Sequence, residues 1–306
     1  MIDNFRQYAR TPRVLDGGWA TELQRRGLGV GASAEIWMQD HPEHVRRVAE
    51  SFVAAGSDII LTNSFQANSL ALRDRGLGPR AAGLAEQAAE ISARAAAGKA
   101  KVFGSIGPTG YVVMAGNLPT SRIYDAFYEQ AEALQWGGAD GLVLETFQET
   151  DEIKIALQAC RAATDLPVVA CMSFEAGSDR YYTQLGVKPS DLAAAATRAG
   201  FDAVGANCGT GLYDGVAVAN ILKDNTPLPV WIKANAGLPQ TGPDGQLHYP
   251  AGYRQFAEYA AELLELGVSF IGGCCGTRPG CIEAIRAAVD AQIAESGSKN
   301  SSSSQG

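Results

Sequence analysis

Short apolar runs alternate along the chain with longer segments in which apolar residues recur every three or four positions. The runs are rich in Val, Ile and Leu and show no polar alternation, which is typical of strands buried on both faces of a parallel sheet. Eight such runs occur, at residues 14–17, 58–65, 102–108, 141–147, 167–174, 203–209, 229–237 and 270–276. Each run ends in a polar or Gly-rich break, so the pattern predicts eight separate strands.

The segments between the runs predict amphipathic helices. In the first of them, an apolar stripe with helical spacing is formed by Val45, Val48, Ala49, Phe52 and Val53. Comparable stripes occupy residues 82–98, 121–137, 149–163, 188–199, 213–224, 251–266 and 279–294. Eight βα units favour an α/β fold of the single (β/α)8 TIM barrel type over an open doubly wound sheet.

The pattern also predicts the domain organisation. Residues 1–294 form one barrel domain, because chains of this length with eight βα units fold as one unit. Residues 295–306 are Ser-rich and lack apolar periodicity, and they are predicted to be a disordered tail.

Composition narrows the class of protein. The chain has 306 residues, of which 46% are hydrophobic, and a net charge of −8, which argues against a nucleic-acid partner. No apolar run approaches the roughly 20 residues that cross a bilayer, and the first residues do not resemble a signal peptide. Six cysteines are too few for a disulfide scaffold. We expect a cytoplasmic protein with free thiols and no membrane partner, and leave open a homo-oligomer.

Three cysteines stand at predicted strand ends, where TIM barrels carry their chemistry. Cys208 ends the sixth strand, and Cys274 and Cys275 end the eighth. Three thiolates converging on one open site suit a catalytic Zn²⁺, with the fourth tetrahedral position left for substrate. The alternative is that Cys274 and Cys275 are small apolar residues filling a barrel strand, since free Cys is commonly buried.

These segments resemble a known family. The segment Asp16-Gly17-Gly18 with Thr21 and Glu22, the segment 205–209 (Gly-Ala-Asn-Cys-Gly) and the segment 272–277 (Gly-Gly-Cys-Cys-Gly-Thr) together are similar to the homocysteine S-methyltransferases. That family includes betaine– and S-methylmethionine–homocysteine methyltransferases and the homocysteine module of cobalamin-dependent methionine synthase. The resemblance implies a zinc-dependent barrel enzyme that methylates the thiol of homocysteine to give methionine.

The resemblance also implies roles for individual residues. Cys208, Cys274 and Cys275 match the family's three zinc ligands, and zinc coordination deprotonates a thiol. Asp16 and Glu145 match the acidic residues that hold the amino-acid end of homocysteine. Glu145 ends an apolar strand, where an unpaired carboxylate would be costly, whereas Asp16 before Gly-Gly is alternatively a turn-capping residue.

Three further residues are predicted to serve the substrate. The backbone N–H groups around Gly17 and Gly18 are available for its carboxylate. Asn235 ends the seventh strand, where its amide oxygen is placed to approach the metal when substrate is absent. Many family members have proline before this asparagine, and here Ala234 replaces it, which loosens the backbone.

The sequence does not determine which molecule donates the methyl group. Betaine and S-methylmethionine are both candidates, and a separate corrinoid or folate carrier stays open. Such small donors are cationic, and aromatic faces bind cations. Candidate aromatic residues near the strand ends are Trp19, Phe65, Tyr111, Tyr124 and Phe147. Each of them is alternatively ordinary core or loop packing.

Two other functions compete with this hypothesis. Lys233 on the seventh strand could form a Schiff base, as in an aldolase-like barrel, which requires a desolvated amine. Alternatively, the chain is a non-catalytic zinc-binding barrel that keeps the fold without turnover.

Overall fold

The computed structural model describes residues 2, 4–177, 180–242 and 247–303, with side chains described up to residue 295. Eight parallel strands form one sheet in the order β1-β8-β7-β6-β5-β4-β3-β2. Their bounds are β1 Arg13–Val14, β2 Ile59–Leu61, β3 Lys101–Ile106, β4 Gly141–Phe147, β5 Val168–Met172, β6 Ala203–Cys208, β7 Val230–Ala234 and β8 Phe270–Gly273. A parallel bridge between Leu15 and Ile59 joins the two ends of this order. The predicted (β/α)8 barrel is therefore confirmed.

In the described part of the chain, eight helices follow the strands and surround the barrel, as predicted. They are α4 Pro42–Ala54, α5 Ala81–Ala96, α6 Thr120–Trp136, α7 Thr150–Ala163, α8 Pro189–Ala199, α9 Leu212–Asn225, α10 Tyr253–Glu265 and α11 Pro279–Ser303. The stripe of α4 packs inward, with Val45, Val48 and Phe52 fully buried. Burying each such side chain contributes about 1.5–3 kcal/mol, which holds the helix on the sheet.

Three helices near the N-terminus were not predicted: α1 Phe5–Tyr8, α2 Trp19–Gln24 and α3 Ala34–Asp40. They are four to seven residues long, too short to show helical periodicity in a sequence. Two short hairpins at the strand ends were also missed, formed by Glu175–Ala176 with Tyr181–Tyr182 and by Gln240–Thr241 with Leu247–His248.

Aromatic side chains fill the barrel interior toward the N-terminal ends of the strands. The rings of Phe103 and Trp231 lie 5.5 Å apart, and those of Trp231 and Phe270 lie 5.2 Å apart. Phe5 of α1 stacks on Phe270 at 5.3 Å and closes the bottom. Because side chains alternate along a strand, the residues two positions further also face inward, toward the open end.

The alternation of side chains along each strand determines which residues face inward at the mouth of the barrel. Ser105 follows Phe103 by two positions, Lys233 follows Trp231, and Glu145 follows the interior residue Val143. All three line one cavity at the C-terminal ends of the strands. The fold thus places these polar groups at the mouth of the barrel, next to the apolar side chains that fill its interior.

The last helix reaches into the segment predicted to be a tail. Val289 is its last buried residue, and the side chains from Asp290 to Glu295 are exposed. Helix α11 continues to Ser303, and residues 304–306 lie outside the described part of the chain. The disordered tail at residues 295–306 stays a prediction. The barrel domain at residues 1–294 stays a proposal. No described helix is long and apolar enough to cross a lipid bilayer.

Candidate active site

The structure brings the three cysteines of the strand ends together. Strand β7 lies between β6 and β8, and Ala234 pairs with Cys208 on one side and with Gly273 on the other. The Sγ atoms of Cys208 and Cys274 are 3.2 Å apart, and those of Cys208, Cys274 and Cys275 all lie within 4.8 Å of one another. A metal ion with Zn–S distances of about 2.3 Å fits such a triangle.

The backbone adopts unusual conformations at and beside these cysteines. Cys208 has a φ of 62°, in the left-handed region that costs a side-chain-bearing residue about 1–2 kcal/mol. Gly276, after the cysteine pair, has a φ of 82° and packs against the ring of Tyr249. Backbone held in a costly conformation at a cleft is common at functional sites.

The three thiols affect one another's pKa values. Hydrogen bonds from Cys208 and Cys274 lower the pKa of Cys275 to about 4. Hydrogen bonds to Cys274 and Cys275, with burial, raise the pKa of Cys208 well above its ordinary value. Because the three sulfurs lie so close together, ionising one thiol makes it harder to ionise the others. Ionising all three requires a cation between them, so the donor set fits a thiophilic divalent metal.

The Asn235 side chain forms hydrogen bonds with the backbone of both cysteine loops. Its Oδ1 accepts a hydrogen bond from the Cys275 N–H at 3.0 Å, and its Nδ2 donates to the Gly209 carbonyl at 2.7 Å. The amide oxygen that the sequence predicts near the metal is thus engaged with the backbone of a neighbouring cysteine. A direct contact of Asn235 with substrate or metal stays a prediction.

Gly17 and Gly18 pack against the cysteine loop. A Cβ at Gly17 would lie 2.6 Å from the Phe52 ring, and one at Gly18 would lie 2.6 Å from the Cys274 carbonyl oxygen. The N–H of Gly18 donates to the Thr277 carbonyl at 3.0 Å. The Gly18 N–H is thus engaged with the cysteine loop, and binding of a substrate carboxylate by the backbone around Gly17 and Gly18 stays a prediction.

Asp16 lies behind the cavity wall. It is fully buried, and Oδ2 accepts hydrogen bonds from the Trp19 indole N–H at 2.6 Å and the Leu61 N–H at 2.7 Å. Its Oδ1 forms an ion pair with the ammonium group of Lys233. Both carboxylate oxygens thus have protein donors, and a contact of Asp16 with substrate stays a prediction.

Glu145 does line the cavity. It is 8% exposed, and its Oε1 accepts a hydrogen bond from the Ser105 hydroxyl. Burial raises the pKa of Glu145 to about 7, and the nearby charge of Lys233 opposes that rise. A carboxylate that burial destabilises gains much from a cationic partner, so Glu145 is suited to bind an ammonium group.

Lys233 is 1% exposed and also lines the cavity. Burial alone would lower the pKa of Lys233, but the charges of Asp16 and Glu145 outweigh burial and raise it. A Schiff-base lysine must lose its proton to attack a carbonyl. The surroundings of Lys233 therefore oppose the aldolase-like alternative.

The cavity in front of these residues has a volume of about 260 Å³. Cys208, Cys274 and Cys275 lie on its wall together with Glu145 and Lys233. It therefore joins a candidate metal site to a pair of opposite charges within one small enclosed space. Such a cavity suits a small polar molecule that carries a thiol.

Comparison with known proteins decides the family. The profile described as "Homocysteine S-methyltransferase" matches residues 13–289 of this chain. The chain belongs to the homocysteine S-methyltransferase family.

Individual relatives agree with this family. Methionine synthase from Mycobacterium tuberculosis is 31% identical over 90% of this chain, which spans 24% of that protein. Betaine–homocysteine S-methyltransferase 1 from Rattus norvegicus is 28% identical over 89% of this chain and 70% of the relative. The chain thus spans about a quarter of the mycobacterial methionine synthase and most of the rat protein.

A solved structure gives the same result. The metallated form of the homocysteine methyltransferase MmuM from Escherichia coli superimposes with a TM-score of 0.73 and 27% identity, covering 90% of this chain and 96% of that one. The resemblance drawn from the three strand-end motifs is confirmed.

Sequence reasoning missed three polar residues in this homocysteine S-methyltransferase family member: Ser105, which donates to Glu145, and the residues Glu35 and Asn207. Glu35 of α3 lines the cavity at 4% exposure and accepts hydrogen bonds from the Ser33 hydroxyl and the Gln66 N–H. Asn207 holds the strand ends together. Asn207 directly precedes Cys208 in the motif and could have been found there, whereas Glu35 lies far from any predicted strand end.

The candidate aromatic residues divide into two groups. Trp19 and Phe65 line the cavity. Phe147 is fully buried in the core, and Tyr111 and Tyr124 pack against the core outside the cavity wall. The structure therefore brings two of the five aromatic candidates to the site, and a role for them in donor binding stays a prediction.

Proposed function

We propose that this domain transfers a methyl group from a small donor to the thiol of homocysteine and produces methionine. The observation that carries the proposal is the convergence of three thiols with a Glu145–Lys233 charge pair on one cavity. The thiol group of homocysteine needs activation, and its amino-acid end needs oppositely charged partners. The cavity offers both within reach of a small molecule.

We further propose Zn²⁺ as the metal that Cys208, Cys274 and Cys275 hold. Thiolates favour soft or borderline metals, and three protein ligands are typical of catalytic zinc. When bound, the metal supplies Lewis acidity that lowers the pKa of a coordinated thiol and keeps it as a nucleophilic thiolate. In the transfer, the bond between the methyl carbon and the donor heteroatom breaks as the sulfur–carbon bond forms.

The residues of the chain orient the substrate for this step. Glu145 receives the substrate ammonium, while Ser105 fixes the carboxylate of Glu145 by its hydrogen bond. Asn235 and Asn207 hold the cysteine loops, so the sulfur ligands keep their positions relative to Glu145. Holding the thiol and the methyl donor in line removes the entropic cost of a chance encounter.

Trp19 and Phe65 are proposed to face the donor. Both residues line the cavity together with Glu35, so the wall combines aromatic residues with a carboxylate. This combination suits a sulfonium or quaternary ammonium centre, as in S-methylmethionine or betaine. Because the thiols must remain reduced, we propose a cytoplasmic location.

An assay for methionine tests the proposal. Reduced protein with one zinc per chain is incubated with homocysteine and one methyl-labelled donor at a time: betaine, S-methylmethionine, methylcobalamin or 5-methyltetrahydrofolate. Labelled methionine is measured by mass spectrometry. We expect it with at least one donor, and its loss in Cys208→Ala but not in the control Cys281→Ala.

The opposite result has a clear meaning. Stoichiometric zinc without methionine from any donor would contradict the enzyme and favour the non-catalytic barrel. Methionine from methylcobalamin or the folate alone would contradict the small cationic donor and indicate a separate carrier.

A further inference from the structure

Two histidines and a glutamate lie together at the corner between α3 and α4. They are His41, Glu43 and His44, and one possible ligand atom from each lies within 4.8 Å of the others. The described residues that line the cavity beside the thiols do not include these three. Pro42, at the start of α4, suits the first turn of a helix and helps to fix the backbone on which the three side chains stand.

The indole ring of Trp37 holds both imidazoles in place. Its centroid lies 4.4 Å from that of His41 and 5.3 Å from that of His44, and the two imidazoles meet edge-on at 5.8 Å. Trp37 itself packs against the hydrophobic core. Side chains that are already held lose little conformational entropy when they bind a ligand, so the cluster is prepared for one.

The spacing of the polar atoms fits a metal ion. His44 Nε2 lies 3.3 Å from Glu43 Oε1. Two ligands on a tetrahedral zinc ion are about 3.3–3.6 Å apart, because Zn–N and Zn–O distances are about 2.0–2.2 Å. The space between these two atoms therefore accommodates either the proton of a hydrogen bond or a metal ion.

The remaining ring nitrogens are available for this exchange. His44 Nδ1 is buried and has no hydrogen-bond partner among the described residues, so it can carry the ring proton without breaking a protein contact. His41 joins α3 to α4, and its side chain forms no capping hydrogen bond on α4. The His44 Nε2 lone pair and the His41 imidazole are thus both free to bind a metal.

The donor set selects the kind of metal. Two imidazoles with one carboxylate suit Zn²⁺, Co²⁺ or Ni²⁺, whereas Mg²⁺ and Ca²⁺ prefer oxygen ligands alone. The positive end of the α4 dipole disfavours a cation, and the negative charge of Glu43 in the first turn offsets it. Glu43 and His44 are partly exposed, so an ion enters directly from solvent.

We propose that His41, Glu43 and His44 form a second Zn²⁺ site, separate from the three thiols. The inference goes beyond the proposed function and does not depend on methyl transfer. This site is weaker than a three-thiolate site, because it offers one negative charge where the thiolates offer three, so purified protein fills it only when zinc is added. The ion joins α4 to α3, the helix that carries Glu35 into the cavity wall, and stabilises that wall.

A zinc titration of the full chain tests the site. Reduced protein that already holds one zinc per chain is titrated with ZnCl₂ by calorimetry, and we expect a second equivalent to bind. The double variant His41→Gln/His44→Gln should keep the first equivalent and bind the second at least about a hundredfold more weakly, since losing only an outer partner of a ligand costs up to that much. The third histidine of the chain gives the matched control, and His248→Gln should bind both equivalents.

Two further measurements identify the ligands. In the triple variant Cys208→Ser/Cys274→Ser/Cys275→Ser, X-ray absorption of added zinc should show nitrogen and oxygen neighbours without sulfur. Added zinc should also raise the melting temperature of wild type, and not that of His41→Gln/His44→Gln, because an ion that binds the folded state stabilises it.

The opposite results would overturn the second site. A second equivalent that binds the double histidine variant as tightly as wild type lies elsewhere on the chain. Binding to wild type at millimolar zinc alone, with no change in melting temperature, would be adventitious, and the cluster would then be only an ion pair packed on Trp37.

Discussion

Asn207 and Thr146 are joined by two hydrogen bonds across the mouth of the barrel. The Thr146 N–H donates to Asn207 Oδ1 at 2.8 Å, and Asn207 Nδ2 donates to the Thr146 hydroxyl at 2.7 Å. The same Nδ2 lies 3.3 Å from the Cys208 sulfur. Because Thr146 directly follows Glu145, the Asn207 amide links two parts of the site. It connects Glu145, the candidate substrate-binding residue, to Cys208, a candidate metal ligand.

Replacing this amide should loosen both halves of the site. Asn207 is 3% exposed, and Asn207→Ala leaves the Thr146 groups without partners, at a cost of about 1–3 kcal/mol in the free energy of unfolding. Both Thr146 and Cys208 have left-handed backbone, so they depend on such support. We expect lower stability in urea denaturation together with weaker zinc and homocysteine binding. The exposed Asn225→Ala is the control, and an unchanged zinc affinity would argue against the coupling.

The three strand-end cysteines should act as one metal site. Single Ala variants of Cys208, Cys274 and Cys275 should each lose most bound zinc, measured by mass spectrometry of the metal after purification under reducing conditions. Cys160→Ala and Cys281→Ala should keep about one zinc per chain, because these buried thiols lie outside the cluster. Zinc should also dissociate on acidification, since the ligands bind as thiolates. Full zinc in the triple variant would exclude this site.

Glu145 should recognise substrate without holding the metal. Glu145→Gln keeps an oxygen for the Ser105 hydroxyl and removes the charge that an ammonium needs. We therefore expect full zinc content and a rise in KM for homocysteine of about tenfold to a hundredfold. Steady-state kinetics with zinc analysis of the same sample measures both. Loss of zinc from this variant would instead make Glu145 a support of the metal site.

Glu152 should make stability depend on pH. Its Oε1 accepts hydrogen bonds from the N–H and hydroxyl of Thr109 at 2.8 and 2.6 Å, and burial raises its pKa from 4.5 to about 7. The folded state therefore binds the proton more tightly than the unfolded chain. The contribution of Glu152 to the free energy of unfolding should fall as pH rises from about 4.5 to about 7, by at most about 3 kcal/mol.

A neutral amide removes this dependence. Glu152→Gln keeps the acceptor oxygen for Thr109 but does not titrate, so its stability relative to wild type should increase between pH 5 and pH 8. Urea denaturation across that range measures the difference. The exposed Glu90→Gln is the control, and parallel pH profiles for wild type and Glu152→Gln would show that the carboxyl titrates normally.

The sequence determined the fold and the location of the chemistry. Buried strands need continuous apolar runs and surrounding helices need one apolar face, so eight of each were visible without coordinates. In a parallel barrel the carboxyl ends of all strands meet at one mouth, which is why Cys208 and Cys274 could be expected together although 66 residues separate them. The helices α1 to α3 were missed because single short turns leave no periodic pattern.

Tertiary structure alone decided which groups each residue at the mouth of the barrel contacts. The resemblance implies the same role for Asp16 and Glu145, as two carboxylates at strand ends that hold the amino-acid end of homocysteine. Folding places Asp16 against three protein donors behind the wall and leaves Glu145 facing the cavity. The sequence pattern of a strand indicates which residues lie near its end, whereas the partners of a carboxylate also come from other elements of the fold. Those partners, here Lys233, Trp19 and Leu61, are fixed only when the barrel closes.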